Sequence, residues 1–127
     1  MATQVMLEKW AGEVSVVTIG ATSAEGGSRA KIIKVGGQKT LPFLFKEATI
    51  PNKPVIAFEI WDIPPVDWPQ NLESAYGSVL KDPFSWAEKC VKEFKAEILC
   101  VKLQGAHPEF GNKSSQDEAK FISQLLK

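Results

Sequence analysis

An α/β fold is what the sequence predicts for this 127-residue chain, on three observations. Two runs, Pro54 to Trp61 and Ala96 to Leu103, are apolar on almost every residue, as expected of parallel strands covered on both faces. An amphipathic helix opens between them at Asp82-Pro83. Ahead of them lie short β-branched runs separated by glycine-rich turns. The chain divides near residue 53, into an N-terminal β-hairpin region (1–53) and a β-α-β-α stretch (54–127).

Val14 to Ile19 and Lys31 to Val35 are the hairpin strands, joined through Ala24-Glu25-Gly26-Gly27-Ser28 and closed by Gly36-Gly37. Glycine accepts the positive φ that such a connection needs. Phe43-Leu44-Phe45 is expected to add a further extended piece. The Gly26-Gly27 loop leads into strand-like sequence and not into a helix N-terminus, which argues against a phosphate cradle. In the second half, Asp82 is the N-cap and Pro83 the first helical residue, where its missing N–H costs nothing. Phe84, Ala87, Cys90, Val91 and Phe94 then recur at spacings of three and four and form the buried stripe. A second helix is expected after Ser115-Gln116-Asp117-Glu118, read as a capping box, with Ala119, Ile122, Leu125 and Leu126 on its buried side. This order is that of a small α/β layer or of the opening of a longer repeating fold. A closed (β/α)8 barrel needs about 250 residues, so two of its units are the most this length holds, and an incomplete domain is the expectation.

Alternation within the strands sets Ile56, Phe58, Ile60, Leu99, Val101 and Leu103 toward the helices. Glu59 and Lys102 fall together on the opposite face. Burying either alone would cost several kcal/mol, so they are expected to pair or join a polar network, unless that face is open to water.

Composition narrows the function. The 15 basic and 15 acidic side chains cancel, which offers little to a polyanion, whose binding rests on neutralised phosphates. Apolar stretches fall far short of the ~20 residues of a membrane span, and Met-Ala-Thr-Gln begins no signal peptide, so a cytoplasmic place is expected. Cys90 and Cys100 lack the three or four converging ligands of a metal or iron–sulfur site and are expected to be reduced and buried.

Chemistry in parallel α/β folds gathers on the loops after the carboxyl ends of strands. Here these loops run from Trp61-Asp62 through Asp67-Trp68-Pro69 to Lys81, and from Gln104 through His107 to Ser114, both longer than the usual ~2–6 residues. They carry no nucleophile–base arrangement. His107 stands without a Ser or Cys partner, Asp62 and Asp67 suit turns as well as acid–base work, and Trp61 and Trp68 suit either a planar ligand or rim packing. The surface fits docking better than reaction.

The residues also carry a resemblance. Gly20-Ala21-Thr22, Gly26-Gly27-Ser28-Arg29, Val35-Gly36-Gly37, Leu41-Pro42-Phe43, Pro51 to Ile56, Glu59 to Asp62 and Asp67-Trp68-Pro69 are matched in order. Asp82-Pro83, Trp86-Ala87, Lys89-Cys90-Val91, Lys102-Leu103, Pro108 and Gly111-Asn112-Lys113-Ser114 continue it. Together they resemble the small (delta) subunit of the corrinoid iron–sulfur protein of the acetyl-CoA synthase/decarbonylase pathway. The chain departs from that pattern at Phe94-Lys95-Ala96, where aromatic-Gly-Ala is expected. Glycine there would end the helix in the left-handed conformation, which costs a lysine about 1 kcal/mol. The resemblance implies a TIM barrel closed below by the hairpin, with a top facing a corrinoid (cobalamin) held by a larger [4Fe-4S] subunit. It implies partnership with a methyltetrahydropterin methyltransferase and with acetyl-CoA synthase/CO dehydrogenase, no metal bound by this chain, and docking and shielding in place of catalysis. By position, Asp62, Asn112, Lys113, Trp61 and His107 lie on the rim that would face the corrinoid, the first three as hydrogen-bonding partners of its amide side chains. A pterin-dependent methyltransferase-type barrel enzyme and an inactive truncated barrel fragment are the competing readings.

Overall fold

The computed structural model describes residues 6–8, 11–41, 43–44 and 47–127. They form two compact units, 1–55 and 56–127.

In the first unit, strand β1 (Val17–Ile19) pairs antiparallel with β2 (Ile33–Val35), Val17 opposite Val35 and Ile19 opposite Ile33. The strands are shorter than the β-branched runs. Pairing continues at one end as single backbone bonds, Val14 N–H to Gln38 O and Gly37 N–H to Val14 O, which is how an uncovered two-stranded ribbon frays. Between the strands Ser23–Glu25 forms one tight helical turn. The Glu25 carboxylate accepts from the N–H and hydroxyl of Thr22, and Gly26 at φ +78° leads the chain out. Beyond β2, Asn52 donates to Gly36 O at 2.8 Å. The extended piece expected at Phe43-Leu44-Phe45 is replaced, on its described residues, by turns: Leu44 N–H bonds Leu41 O and Glu47 N–H bonds Leu44 O. Phe45 lies outside the described residues.

In the second unit β3 (Ala57–Trp61) and β4 (Ile98–Lys102) are parallel, in the register Ala57 to Ile98 through Trp61 to Lys102. Pro54 to Ile56, Ala96-Glu97 and Leu103 stay outside the ladder, so Ile56 and Leu103, expected toward the helices, are exposed instead. A short helix α1 (Gln70–Tyr76) occupies the stretch read as loop and ends at Gly77. Helix α2 (Pro83–Lys92) starts as its sequence dictates, the Asp82 carboxylate accepting from the N–H and hydroxyl of Ser85.

The core of this unit is Ile60, Leu80, Trp86, Ala87 and Cys90. The stripe of α2 therefore needs correction: Trp86 is fully buried, whereas Phe84, Val91 and Phe94, the last beyond the helix end, are exposed in part. The reason is the preceding segment, which folds back so that Trp68 and Tyr76 meet Trp86 edge-on, with ring centroids 5.4 and 5.6 Å away. Phe84 turns instead to Phe121 of the last helix, 5.5 Å away.

Helix α3 (Ser115–Leu125) is capped by Ser114, whose hydroxyl oxygen accepts from Asp117 N–H. The cap expected at Ser115 thus lies one residue earlier. Its buried side changes with it: Glu118 is buried, while Ala119 and Leu126 are exposed. Cys90 is buried as expected, but Cys100 is an exposed free thiol, because it shares the open face of β4 with Lys102.

Candidate functional site

The site grows from the last backbone bond of the parallel pair. Asp62 N–H donates to Lys102 O at 3.2 Å, which fixes Asp62 just past the end of β3 and beside the exit of β4. Its side chain has no exposed surface. One carboxylate oxygen accepts from Gly105 N–H at 2.9 Å, and the other from Lys113 Nζ at 2.7 Å. Lys113 also donates to Asp62 O at 3.1 Å, while its own N–H bonds Gly105 O at 2.9 Å. Three chain segments are thereby tied at one point, with a third of the lysine side chain facing water.

Glu118, at the start of α3, is the fourth member. It is 4% exposed, and its two carboxyl oxygens are buried without a hydrogen-bond donor. Burial raises its carboxyl above the usual glutamate range, and the charge and proximity of Asp62 raise it further. Burial works in the same direction on Asp62, but the Lys113 ammonium and the Gly105 N–H outweigh it and hold that carboxyl below its usual range.

A second cluster sits on the open face of the strands. Trp61 Nε1–H donates to Glu59 Oε1 at 2.6 Å, and Lys102 Nζ stands 4.2 Å from the Trp61 ring centre. Glu59 and Lys102 therefore share a network, but through the indole and not as the direct ion pair the sequence allowed. Register explains it: Lys102 lies opposite Trp61, and Glu59 opposite Cys100. A cation over an indole is worth about 0.5–1 kcal/mol where water reaches it.

The remaining sequence candidates have local duties. Trp68 packs edge-on against Trp61, Tyr76 and Trp86, which takes it out of the ligand-stacking role. His107 Nδ1 accepts from Glu109 N–H at 3.3 Å, and its ring packs on Phe110, so it caps the turn Pro108–Phe110. Asn112 is exposed, at φ +50°, a conformation asparagine tolerates better than most residues. Its N–H bonds His107 O. Asp62 and Lys113 are brought together, while Trp61 belongs to the other cluster. Glu118 and Gly105 were missed. The signal for Glu118 was the double serine: with Ser114 as the cap, Glu118 is released from capping and turned inward.

Among the described residues no three His, Cys, Asp or Glu side chains group as a metal site, and no helix is long and apolar enough to cross a membrane. What the geometry defines is a parallel α/β unit with an Asp62–Lys113 ion pair at the carboxyl ends of its strands, a buried Glu118 without a donor, and an exposed Asn112. Comparison with known proteins makes this specific. Residues 16–127 match the family of the CO dehydrogenase/acetyl-CoA synthase delta subunit, and the chain belongs to that family. It is 38% identical over 120 residues to the acetyl-CoA decarbonylase/synthase complex subunit delta of Methanocaldococcus jannaschii, covering 94% of this chain and 29% of that protein. Subunit delta of Methanothermobacter thermautotrophicus is 36% identical, with 94% and 29% covered, and that of Archaeoglobus fulgidus 31%, with 94% and 26%. The chain thus spans less than a third of the length of these relatives.

Proposed function

We propose that this chain forms part of the small subunit of a corrinoid methyl carrier. Its strand ends dock on and shield a corrinoid held by a larger, [4Fe-4S]-bearing partner subunit. The methyl group would pass from methyltetrahydropterin, through a methyltransferase, to acetyl-CoA synthase/CO dehydrogenase in the cytoplasm. The family match over residues 16–127 is the observation that carries this reading. The site agrees with it chemically. A corrinoid presents neutral amide side chains, and the exposed Asn112 and the half-buried Lys113 are donors on the rim. Asp62 is enclosed behind Lys113, so its part is to position that ammonium and the Gly105 backbone. The corrinoid, when bound by the partner, supplies the nucleophilic cobalt; this chain supplies enclosure and hydrogen bonds.

The parallel pair with α2 on one face and an open face opposite is how a (β/α)8 barrel would begin, and we take the whole subunit to contain such a barrel. The test uses the complete delta subunit with and without its corrinoid-bearing partner. Methyl transfer from methyltetrahydropterin is expected only in the pair. Turnover by the delta subunit alone would overturn the docking reading in favour of a methyltransferase.

A further inference from the structure

We propose that Glu118 and Asp62 share one proton, carried on Glu118 and donated to an Asp62 oxygen, so that helix α3 is latched to the end of β3 only while that proton is bound. Two buried carboxyl groups stand beside one lysine, and the lysine is committed to Asp62 at 2.7 Å. Glu118 is left with two buried oxygens and no donor, which for an ionised carboxylate is among the costliest arrangements a protein can hold.

Asp62, its side chain wholly buried, is the carboxyl group whose charge bears most on Glu118. Two ionised carboxylates both accept and cannot bond; one proton converts the pair into donor and acceptor. Placing it on Glu118 leaves Asp62 ionised, as its bonds to Lys113 and Gly105 N–H require. The other charged groups in range are Lys113, from the loop before α3, and Asp117, on α3 itself. Asp117 is engaged by Ser114 and by Lys120, at 2.7 and 3.7 Å, and does not compete for the proton. The upward displacement of the Glu118 carboxyl agrees with this placement.

The latch joins four segments: the end of β3 through Asp62, the exit of β4 through Gly105, the loop through Lys113, and α3 through Glu118. Loss of the proton puts a second negative charge in the enclosure and gives Lys113 a second carboxylate to bridge. The ammonium at the rim is then drawn inward, and α3 loses its bond to the strand. None of this depends on the methyl-carrier reading, because every group belongs to this chain.

The experiment is infrared spectroscopy of the complete subunit in heavy water at about pH 6, where an ordinary glutamate is almost fully ionised. A protonated-carboxyl C=O band is expected in the wild type, displaced by 13C-labelling of glutamate and lost in Glu118→Gln, whose amide keeps a donor toward Asp62. The urea midpoint of the wild type should also fall as pH rises above about 5, past the unfolded glutamate value, and level off once Glu118 ionises in the folded chain, while that of Glu118→Gln stays level across the same interval. A labelled wild type without such a band overturns the proposal whatever the variant does. So does a band that persists unchanged in Glu118→Gln.

Discussion

Gly105 donates its N–H to Asp62 from a position where a side chain would strike the ion pair. A Cβ there would run into an Asp62 carboxylate oxygen and lie 2.8 Å from the Lys113 side chain. Its role is close approach and not an unusual φ, so Gly105→Ala must push the backbone off Asp62 or break the Lys113 contact. Either leaves a buried acceptor short of a donor, at about 1–3 kcal/mol. The urea midpoint of the complete subunit should fall accordingly, and an unchanged midpoint would show that the loop gives way freely. Lys95 is the opposite case. It takes φ +57° at the end of α2, where Ala96 N–H reaches back to Cys90 O at 2.9 Å. A β-carbon is strained there while glycine is not. Lys95→Gly is expected to raise stability by about 1 kcal/mol, less the greater freedom glycine gives the unfolded chain. A loss measured by the same titration would mean that the Lys95 Nζ bond to Lys92 O outweighs the strain.

Elements were legible where a single local signal was strong. The start of α2 follows from Asp82-Pro83, and the parallel pairing of β3 with β4 from two apolar runs flanking one helix. Helix α1 escaped because seven residues carry too few apolar positions to show a period, and Tyr76 finds its burial against Trp86 and Phe94 only once the chain has folded back. Trp86 was read off the stripe for the same reason, since its partners come from outside the helix. At α3 the sequence allowed two cap registers, and tertiary burial of Glu118 accompanies the one adopted. That choice is testable on the element itself. Ser114→Ala should cost about 1 kcal/mol as the loss of an N-cap, whereas Ser115→Ala, with its hydroxyl turned to Gln116, should be near neutral. Equal effects of the two changes would mean that the first turn of α3 shifts between both registers.

At the scale of the whole chain, what the sequence revealed and what it concealed separate by physics. Asp62 and Lys113 were picked out because position along the strands places them on one rim, but their mutual pairing spans 51 residues and needs coordinates. Their pairing also dictates how the molecule answers to pH. In the wild type the folded Asp62 carboxyl lies below its unfolded value, so the unfolded chain binds the extra proton and stability falls as pH drops below about 4. Lys113→Met removes the cation and leaves burial opposed by the Gly105 N–H and the Glu118 carboxyl, so the same carboxyl rises relative to the wild type. The linkage weakens: the folded variant gives up less stability than the wild type as pH falls through that interval. The deficit of the variant should therefore be widest near neutrality, at about 2–3 kcal/mol. That is under the ~3–5 of a wholly buried pair, because water reaches a third of the lysine side chain. It should narrow steadily toward pH 3. Urea midpoints of the complete subunit and its variant, taken at a series of pH values, read this directly. A deficit that stays constant from neutral to acid would mean that Lys113 acts through its methylenes alone, and that the charge of Asp62 is held by the Gly105 backbone without it.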